Sequence, residues 1–237
     1  MGREFGAWYA DQIGPGIRHF TWQLDKQLSD VKVAGRRVLE IGCGKGAVSL
    51  YLAIFKGIQE VYAVDEDCGH GASQEVLRAL REGVEKLKVT GVKIIAEDFQ
   101  KLDLPLAHFD LIVANYSLHH IVPDGGVGVN PQAKRNYLEL LNRLRMLLSP
   151  GGTLSLREVN GLSLWRHSPV KLRQRQIDWK LHPEIRDWRI MFKEANLRVV
   201  SFQYLVPFRL RRFERLLQNR GFAYLWGMDF LVNATPV

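Results

Sequence analysis

The stretch from Val38 to Leu50 constrains the fold of this chain most, because it combines a short apolar run, a glycine turn and the start of a helix. The apolar run, formed by Val38, Leu39 and Ile41, is typical of a strand covered on both faces. The turn alternates glycines with other residues: Gly42, Gly44 and Gly46. Glycine lets the backbone turn sharply and approach a ligand where a Cβ atom would collide. The following helix would direct its free N–H groups and positive dipole end at that ligand.

Two classes of protein use such a turn, and the glycines alone do not separate them. Gly42, Gly44 and Ala47 satisfy the G-x-G-x-x-G/A fingerprint of dinucleotide-binding folds. Glu40 favours the other class, because its carboxylate would repel a pyrophosphate and attract a cationic amino group. The residues from Glu40 to Gly46 resemble motif I, (D/E)-x-G-x-G-x-G, of the class I S-adenosylmethionine-dependent methyltransferases.

Two later stretches extend the resemblance to this methyltransferase family. The run from Phe109 to Ile121, FDLIVANYSLHHI, is similar to the fourth strand and following loop of the branch that methylates small molecules. The (D/N)-P-P-(Y/F) tetrad of enzymes that methylate nucleic-acid or amide amines is missing, since Tyr116 and Ser117 follow Asn115. The Pro150 to Gly152 segment is predicted to end a helix just before a strand. This arrangement resembles a recurrent signature of the family, and dinucleotide folds lack that signature.

The resemblance implies an α/β fold with a Rossmann-like, mostly parallel sheet of seven strands. The implied strand order is 3-2-1-4-5-7-6, with the last strand antiparallel and helices on both faces. A single methyltransferase domain is expected over residues 1–237. Within it we expect an N-terminal helical lid (1–34), a cofactor-binding core (35–160), and a basic substrate-cap region with the last strands (161–237).

The resemblance also assigns residues to the cofactor, S-adenosyl-L-methionine, whose product is S-adenosyl-L-homocysteine. Asp65 ends the second strand 23 residues after Gly42, the spacing at which α/β nucleotide sites place a carboxylate on two ribose hydroxyls. Glu66 is the near alternative. Asp98 and Phe99 match the pair that contacts adenine, although an acid-rich turn that caps a helix is the competing interpretation. The complete cofactor set is Glu40, Gly42, Cys43, Gly44, Gly46, Asp65, Glu66, Asp98, Phe99 and Asn115.

Candidate catalytic residues follow the fourth and fifth strands. A methyl group on a sulfonium needs a nucleophile held in line with it, and a hydroxyl nucleophile needs a base that titrates near neutral pH. His119 and His120 lie where the family's substrate pocket opens, and histidine suits this task. We expect one of them to face the site and the other the core; a structural role for both is the alternative. Tyr116 and Glu158 are lesser candidates, and no metal site is expected.

The charge distribution indicates an anionic partner. Residues up to Leu156 contain 18 basic and 18 acidic side chains, whereas the remainder contains 15 basic and 7 acidic ones. This asymmetry suits an acidic substrate, nucleic acid or an acidic lipid surface, and a solvated arginine-rich face is the alternative. We expect methyl transfer to a small-molecule or lipid-like acceptor, with an anionic acceptor favoured by the charge. An RNA methyltransferase, which is not favoured, and a non-catalytic S-adenosylmethionine-binding regulatory protein are the alternatives.

Compartment and membrane association are predicted from what the sequence lacks. Cys43 and Cys68 are too few for a disulfide framework or a metal cluster. The first residues lack the layout of a secretory signal, and there is no apolar run of about 18 residues that would span a bilayer. A cytoplasmic protein without a transmembrane segment is therefore expected.

Overall fold

A computed structural model describes residues 2–66, 74–122, 130–164 and 181–237. Its elements, in chain order, are α1 (Gly2–Gln12), α2 (Ile17–Gln27), β1 (Arg37–Ile41), α3 (Ala47–Phe55), β2 (Glu60–Asp65), α4 (Gln74–Lys86), β3 (Val92–Ala96), β4 (Phe109–Asn115), α5 (Leu118–Ile121), α6 (Pro131–Leu147), β5 (Leu148–Val159), α7 (Ile185–Glu194), β6 (Leu197–Tyr204), a 3-10 helix (Phe208–Phe213), α8 (Glu214–Leu217), α9 (Arg220–Trp226) and β7 (Asp229–Pro236).

The strands of the described residues form one sheet of seven strands in the order β3-β2-β1-β4-β5-β7-β6. All neighbours from β3 to β5 pair in parallel, and β7 runs antiparallel between β5 and β6. The chain builds the sheet outwards from β1 to β3 and then returns to β4 on the other side of β1. Ligands of open α/β sheets bind beyond the carboxyl ends of the strands at such a reversal. The predicted fold class is confirmed, including its strand order and antiparallel last strand.

Apolar side chains cover both faces of this sheet. Successive residues of a strand point to opposite faces, so Leu39 and Ile41 of β1 pack in the core that contains α6 and α7. Val38 packs in the other core, which contains residues of α1 to α4. Glu40 has the same parity as Val38 and is buried on that second face. The predicted burial of β1 on both faces is thus confirmed, and Glu40 is placed under the helices α3 and α4.

Apolar patterning predicts the bounds of the central strands and of the helix after β1, but it does not predict two of the short helices. Apolar patterning predicts strands over Glu60–Asp65, Val92–Ala96 and Phe109–Asn115 and a helix over Ala47–Phe55, and the structure has these bounds. Patterning misses α5 and α9, since four and seven residues are too few to display a helical period. The division into lid, core and cap stays a prediction, and residues 165–180 of the predicted cap region lie outside the described residues. None of the described helices is both long and apolar enough to cross a bilayer.

Candidate active site

Two of the three glycines in the turn after β1 are required by packing inside the protein. Gly42, Gly44 and Gly46 have φ angles of 69°, 52° and 82°. A Cβ atom on Gly42 would lie 2.4 Å from Cβ of Ser117, and one on Gly46 would lie 2.2 Å from Cδ1 of Leu80. The Cβ position of Gly44 has no described atom within 4 Å. Neighbouring side chains therefore require glycine at positions 42 and 46, whereas the left-handed backbone favours it at position 44. The approach of a ligand to Gly44 stays a prediction.

This difference predicts unequal costs of adding a methyl group to the turn. Gly46→Ala should lower the free energy of unfolding by about 2 kcal/mol, because left-handed backbone strain adds to a collision with Leu80. Gly44→Ala should cost about 1 kcal/mol, since only the backbone strain applies. Urea denaturation of both variants measures the difference. Equal losses would show that Leu80 moves aside and that packing does not dictate glycine at position 46.

Glu40 is buried beneath this turn. It is 3% exposed, and the hydroxyl of Ser49 in the first turn of α3 donates a hydrogen bond to its Oε2. Burial raises the pKa of Glu40 to about 8, the Ser49 hydrogen bond opposes that rise, and the nearby carboxylate of Asp65 adds to it. Glu40 is therefore mostly protonated at neutral pH in this structure. A cation placed beside it would favour its ionised form.

Asp65 joins the end of β2 to the turn. Its Oδ2 accepts the N–H of Gly44 at 2.6 Å. The carbonyl oxygen of the preceding residue, Val64, accepts the N–H groups of Gly42 and Cys43 at 2.9 and 3.1 Å. The structure thus brings the predicted ribose carboxylate and the predicted ligand-binding turn into direct contact.

The remaining two residues predicted at this end of the cofactor differ in their surroundings. Cys43 is buried, and burial raises the pKa of its thiol well above the ordinary value, with Glu40 and Asp65 adding to the shift. A thiol that burial keeps neutral is a weak nucleophile, and the cofactor role of Cys43 stays a prediction. Glu66, directly after β2, is half-buried.

The predicted adenine pair lies after β3, at the same edge of the sheet. Oδ1 of Asp98 accepts the N–H of Gln100 at 2.8 Å, and Nζ of Lys101 lies 3.5 Å from its other oxygen. Phe99 is buried, with the guanidinium of Arg143 4.5 Å from the centre of its ring. Asp98 therefore stabilises a turn and does not cap a helix, since the described chain between β3 and β4 contains no helix. The adenine role stays a prediction, since a carboxylate oxygen accepts more than one hydrogen bond.

Helix α2 covers the ends of β4 and β5 through two buried amide side chains. Nε2 of Gln27 donates to Oδ1 of Asn115 at 2.9 Å, and Nη1 of Arg157 donates to Oε1 of Gln23 at 2.8 Å. Motif comparison missed both glutamines. Their spacing of four residues places them on one helix face, next to the buried Leu24, and this polar pair on an inward face is the signal that was available.

Tyr116 belongs to the same polar group and is a poor candidate for a base. Its hydroxyl donates to Asp229, and the guanidinium of Arg157 lies 4.6 Å from the centre of its ring. Burial raises the pKa of Tyr116 well above the ordinary value, and Asp229 adds to the shift. Its φ of 57° is strained for a residue with a side chain and turns the chain sharply after β4. Tyr116 therefore positions the loop that carries the two histidines.

The two histidines, which lie in α5, differ in burial, although their rings lie side by side with centres 4.1 Å apart. His119 is buried, and its Nδ1 lies 3.0 Å from Oε2 of Glu158 at the end of β5. The N–H of Leu118 donates to Oε1 of the same carboxylate at 3.1 Å, so Glu158 is held by both contacts. His120 is exposed. With Glu158 ionised, Nδ1 of His119 is the donor in this pair, which leaves Nε2 to accept a proton.

His182 joins this pair and gives the group a composition that metals accept. The rings of His119 and His182 have centres 4.3 Å apart, and one ligand atom from each of these residues and from Glu158 lies within 4.8 Å of the others. Two imidazoles and one carboxylate are a ligand set found around zinc. The sequence predicts no metal and does not point to His182, because no local spacing links it to the earlier histidines. The group has the composition of a base with its carboxylate partner and also that of a metal centre, and a structural role for the histidines is the alternative.

The chain was compared with known proteins once this geometry was established. Residues 18–225 match the profile of a family described as a methyltransferase domain, which is most of the chain. This protein belongs to the class I S-adenosylmethionine-dependent methyltransferase family. The predicted family, with S-adenosyl-L-methionine as the cofactor of that family, is confirmed.

Curated relatives match part of this methyltransferase. An uncharacterized methyltransferase of Mycobacterium tuberculosis (strain H37Rv) is 31% identical over 138 residues, which are 58% of this chain and 56% of the relative. Aklanonic acid methyltransferase of Streptomyces sp. (strain C5) is 30% identical over 108 residues, 44% of this chain and 45% of the relative. The chain thus spans about half the length of these relatives.

Solved structures share the fold of this methyltransferase over nearly its whole length. Geranyl diphosphate C-methyltransferase of Streptomyces coelicolor A3(2) superposes with a TM-score of 0.66 at 15% identity, covering 93% of this chain and 80% of that one. Phosphoethanolamine N-methyltransferase 2 of Haemonchus contortus superposes with a TM-score of 0.68 at 16% identity, covering 99% and 56%. At these identities the likeness concerns the fold alone.

Proposed function

We propose that this protein transfers the methyl group of S-adenosyl-L-methionine to a hydroxyl group of a small-molecule or lipid-like acceptor. The observation that carries the proposal is the buried pair of His119 and Glu158, which lies at the carboxyl ends of β4 and β5 beside the turn. Methyl transfer to a hydroxyl is the case in which a positioned base has a proton to remove.

The described residues fit the cofactor at its two polar ends. Beneath the turn, Glu40 is a buried carboxyl group that an adjacent ammonium group would ionise. At the end of β2, Asp65 is half-buried and holds the turn at Gly44, whose Cβ side is open. The first suits the amino group of the methionine moiety, and the second suits the ribose hydroxyls. When bound, the cofactor supplies an electrophilic methyl group on its sulfonium.

The acceptor side of the reaction is carried by residues of this chain. Nε2 of His119 would accept the proton of the acceptor hydroxyl, and the bound cofactor would supply the methyl group that takes the proton's place. The carboxylate of Glu158 stabilises the imidazolium that results and holds the ring in one tautomer. The proton leaves His119 for solvent after the methylated product departs. Tyr116 and Arg157 keep the loop in place and are not assigned a proton-transfer step.

The names of similar proteins and the charge of the chain support a small anionic acceptor. Aklanonic acid and geranyl diphosphate, named for two of the similar methyltransferases, are acidic small molecules. The basic excess of this chain lies in its last third, beyond Leu156. The basic charge is the one argument for an RNA acceptor. A non-catalytic role would give the buried pair of His119 and Glu158 no chemical function.

Incubation of the purified protein with labelled cofactor tests the proposal. A panel of hydroxylated acids, lipid extracts and total RNA is offered separately, and labelled product is counted in each. We expect product with the acids or lipids. The proposed acceptor class is contradicted if labelled product forms with RNA alone, or if no acceptor is labelled although the protein still binds the cofactor. RNA binding that falls steeply with added salt would support the RNA alternative.

Asp65→Asn should weaken the binding of S-adenosyl-L-homocysteine by about 2 kcal/mol, because the ribose hydroxyls lose a charged acceptor. The amide oxygen still accepts the N–H of Gly44, so the turn keeps its support. Titration calorimetry measures the change, with Glu66→Gln as the matched control. A dissociation constant equal to that of the wild type, or a larger loss in the control, would move the ribose role away from Asp65.

A further inference from the structure

The segment between β6 and β7 presents a strongly basic outer surface. This segment, residues 208–226, consists of the 3-10 helix, α8 and α9. Its arginines are all exposed: Arg209, Arg211, Arg212, Arg215 and Arg220. The one acidic residue of the segment, Glu214, forms an ion pair with Lys26 of α2 and so does not offset them. The outer face of the segment is therefore positively charged.

Large apolar side chains are exposed on the same segment. Phe213, Leu216, Leu225 and Trp226 are 57%, 75%, 55% and 43% exposed. The inward faces of the same elements pack on a small core built from residues of this segment and its two flanks: Val206, Leu210, Leu217, Phe222, Ala223 and Met228. The exposed apolar residues are thus held outward by helices whose other faces are anchored. Apolar surface rimmed by charge marks an interaction site.

The segment is fastened to the helix that covers the candidate active site. The ring of Phe208 lies 5.3 Å from that of His19 and 5.6 Å from that of Trp22, both in α2. The ion pair of Lys26 and Glu214 adds a second attachment. Because α2 also bonds to Asn115 and Arg157 at the ends of β4 and β5, one helix separates this surface from the candidate active site.

We propose that residues 208–226 bind the surface of a membrane that contains anionic phospholipids. Arginine guanidinium groups lie at the level of the phosphates, and the four exposed apolar side chains enter the boundary of the acyl chains. RNA would engage the arginines but leave Leu216 and Leu225 in water, so the aliphatic side chains favour a lipid surface. The proposal does not rest on the proposed methyl transfer, because surface binding needs neither cofactor nor acceptor.

Vesicle flotation with the full-length protein tests this surface. We expect binding to vesicles of phosphatidylcholine with phosphatidylglycerol, and none to vesicles of phosphatidylcholine alone. Replacing Arg209, Arg211 and Arg212 by glutamine should weaken binding at least about tenfold, since each arginine near such a surface contributes on the order of 1 kcal/mol. The matched control replaces three exposed basic residues elsewhere, Arg3, Lys86 and Arg198, by glutamine and should bind like the wild type.

The apolar half of the proposal needs its own pair of variants. Leu216→Ser with Trp226→Ser should also weaken vesicle binding at least about tenfold, because the variant no longer buries these two apolar side chains in the lipid. Leu106→Ser with Met146→Ser, which changes two exposed apolar residues outside the segment, is the control. Circular dichroism and S-adenosyl-L-homocysteine binding show that each variant is folded. Vesicle binding that the serine pair leaves unchanged, or binding to total RNA with no binding to anionic vesicles, overturns the proposal.

Discussion

Replacing His119 by alanine is expected to lower turnover about a thousandfold and to leave cofactor binding unchanged, because a positioned general base contributes about 10²–10⁴-fold to such reactions. The imidazole is buried against Glu158, and neither residue belongs to the set assigned to the cofactor, which lies in β1 and its turn, at the ends of β2 and β4, and after β3. Turnover is measured with labelled cofactor and the acceptor found in the product screen. Cofactor affinity is measured by calorimetry with S-adenosyl-L-homocysteine.

His120→Ala is the matched control for this prediction. The neighbouring imidazole lies close, with ring centres 4.1 Å apart, but it is exposed and follows the buried histidine on the same short helix. We expect turnover within about threefold of the wild type, as for a surface substitution away from the chemistry. If His120→Ala loses activity and His119→Ala keeps it, the base is the exposed histidine and Glu158 is a structural partner.

A chelator separates the base from a metal centre at the same group. If His119 acts as a base, treatment with EDTA leaves turnover unchanged, and Glu158→Gln lowers turnover because the neutral amide neither stabilises the imidazolium nor holds the ring in the Nδ1–H tautomer. If His119, Glu158 and His182 hold a metal, EDTA abolishes turnover and His182→Ala is as damaging as His119→Ala. Metal content of the purified protein gives a readout that does not depend on activity.

Most of the fold could be predicted because local patterning and motif residues agree on it. The strands from Glu60 and Val92 are short apolar runs that end in acids, and the glycine turn after Ile41 places a helix directly behind β1. The strand order came from the resemblance, since no periodicity specifies which strands pair. The two short helices were missed because their positions depend on tertiary contacts, such as the packing of Ala223 in α9 on Val206 and Met228.

The sequence predicts the parts of the candidate site that follow directly from the strand order, but not the contacts between residues far apart in the chain. Asp65 lies beside the turn because β1 and β2 are adjacent parallel strands, so the end of one strand predicts the neighbourhood of the other. The pairing of His119 with Glu158, and the approach of His182, join three elements far apart in sequence. The sequence likewise does not show why position 42 is glycine, because the Ser117 side chain that occupies the space of a Cβ atom there lies after β4.

Cofactor affinity should increase with pH up to about pH 8 because of Glu40. Its pKa, raised to about 8 by burial, means that the carboxyl group is protonated over most of the physiological range. A cationic amino group beside it lowers that pKa, so binding below pH 8 releases a proton from Glu40. The dissociation constant of S-adenosyl-L-homocysteine should therefore decrease about tenfold per pH unit between pH 6 and 8 and change little above that.

Glu40→Gln isolates this effect from the titration of the ligand's own amino group, which both proteins share. The variant cannot release a proton at position 40, so calorimetry in buffers of different ionisation enthalpy should detect fewer released protons than for the wild type.

The stability of the two proteins without ligand provides a second comparison. Because the folded-state pKa lies above the ordinary value of 4.5, the contribution of Glu40 to stability is full below pH 4.5 and is lost as the pH rises towards 8. Wild-type stability should thus fall relative to the variant over that range. Proton release that is the same in both proteins, together with this stability difference, would show that Glu40 is buried as described but does not meet the amino group of the cofactor.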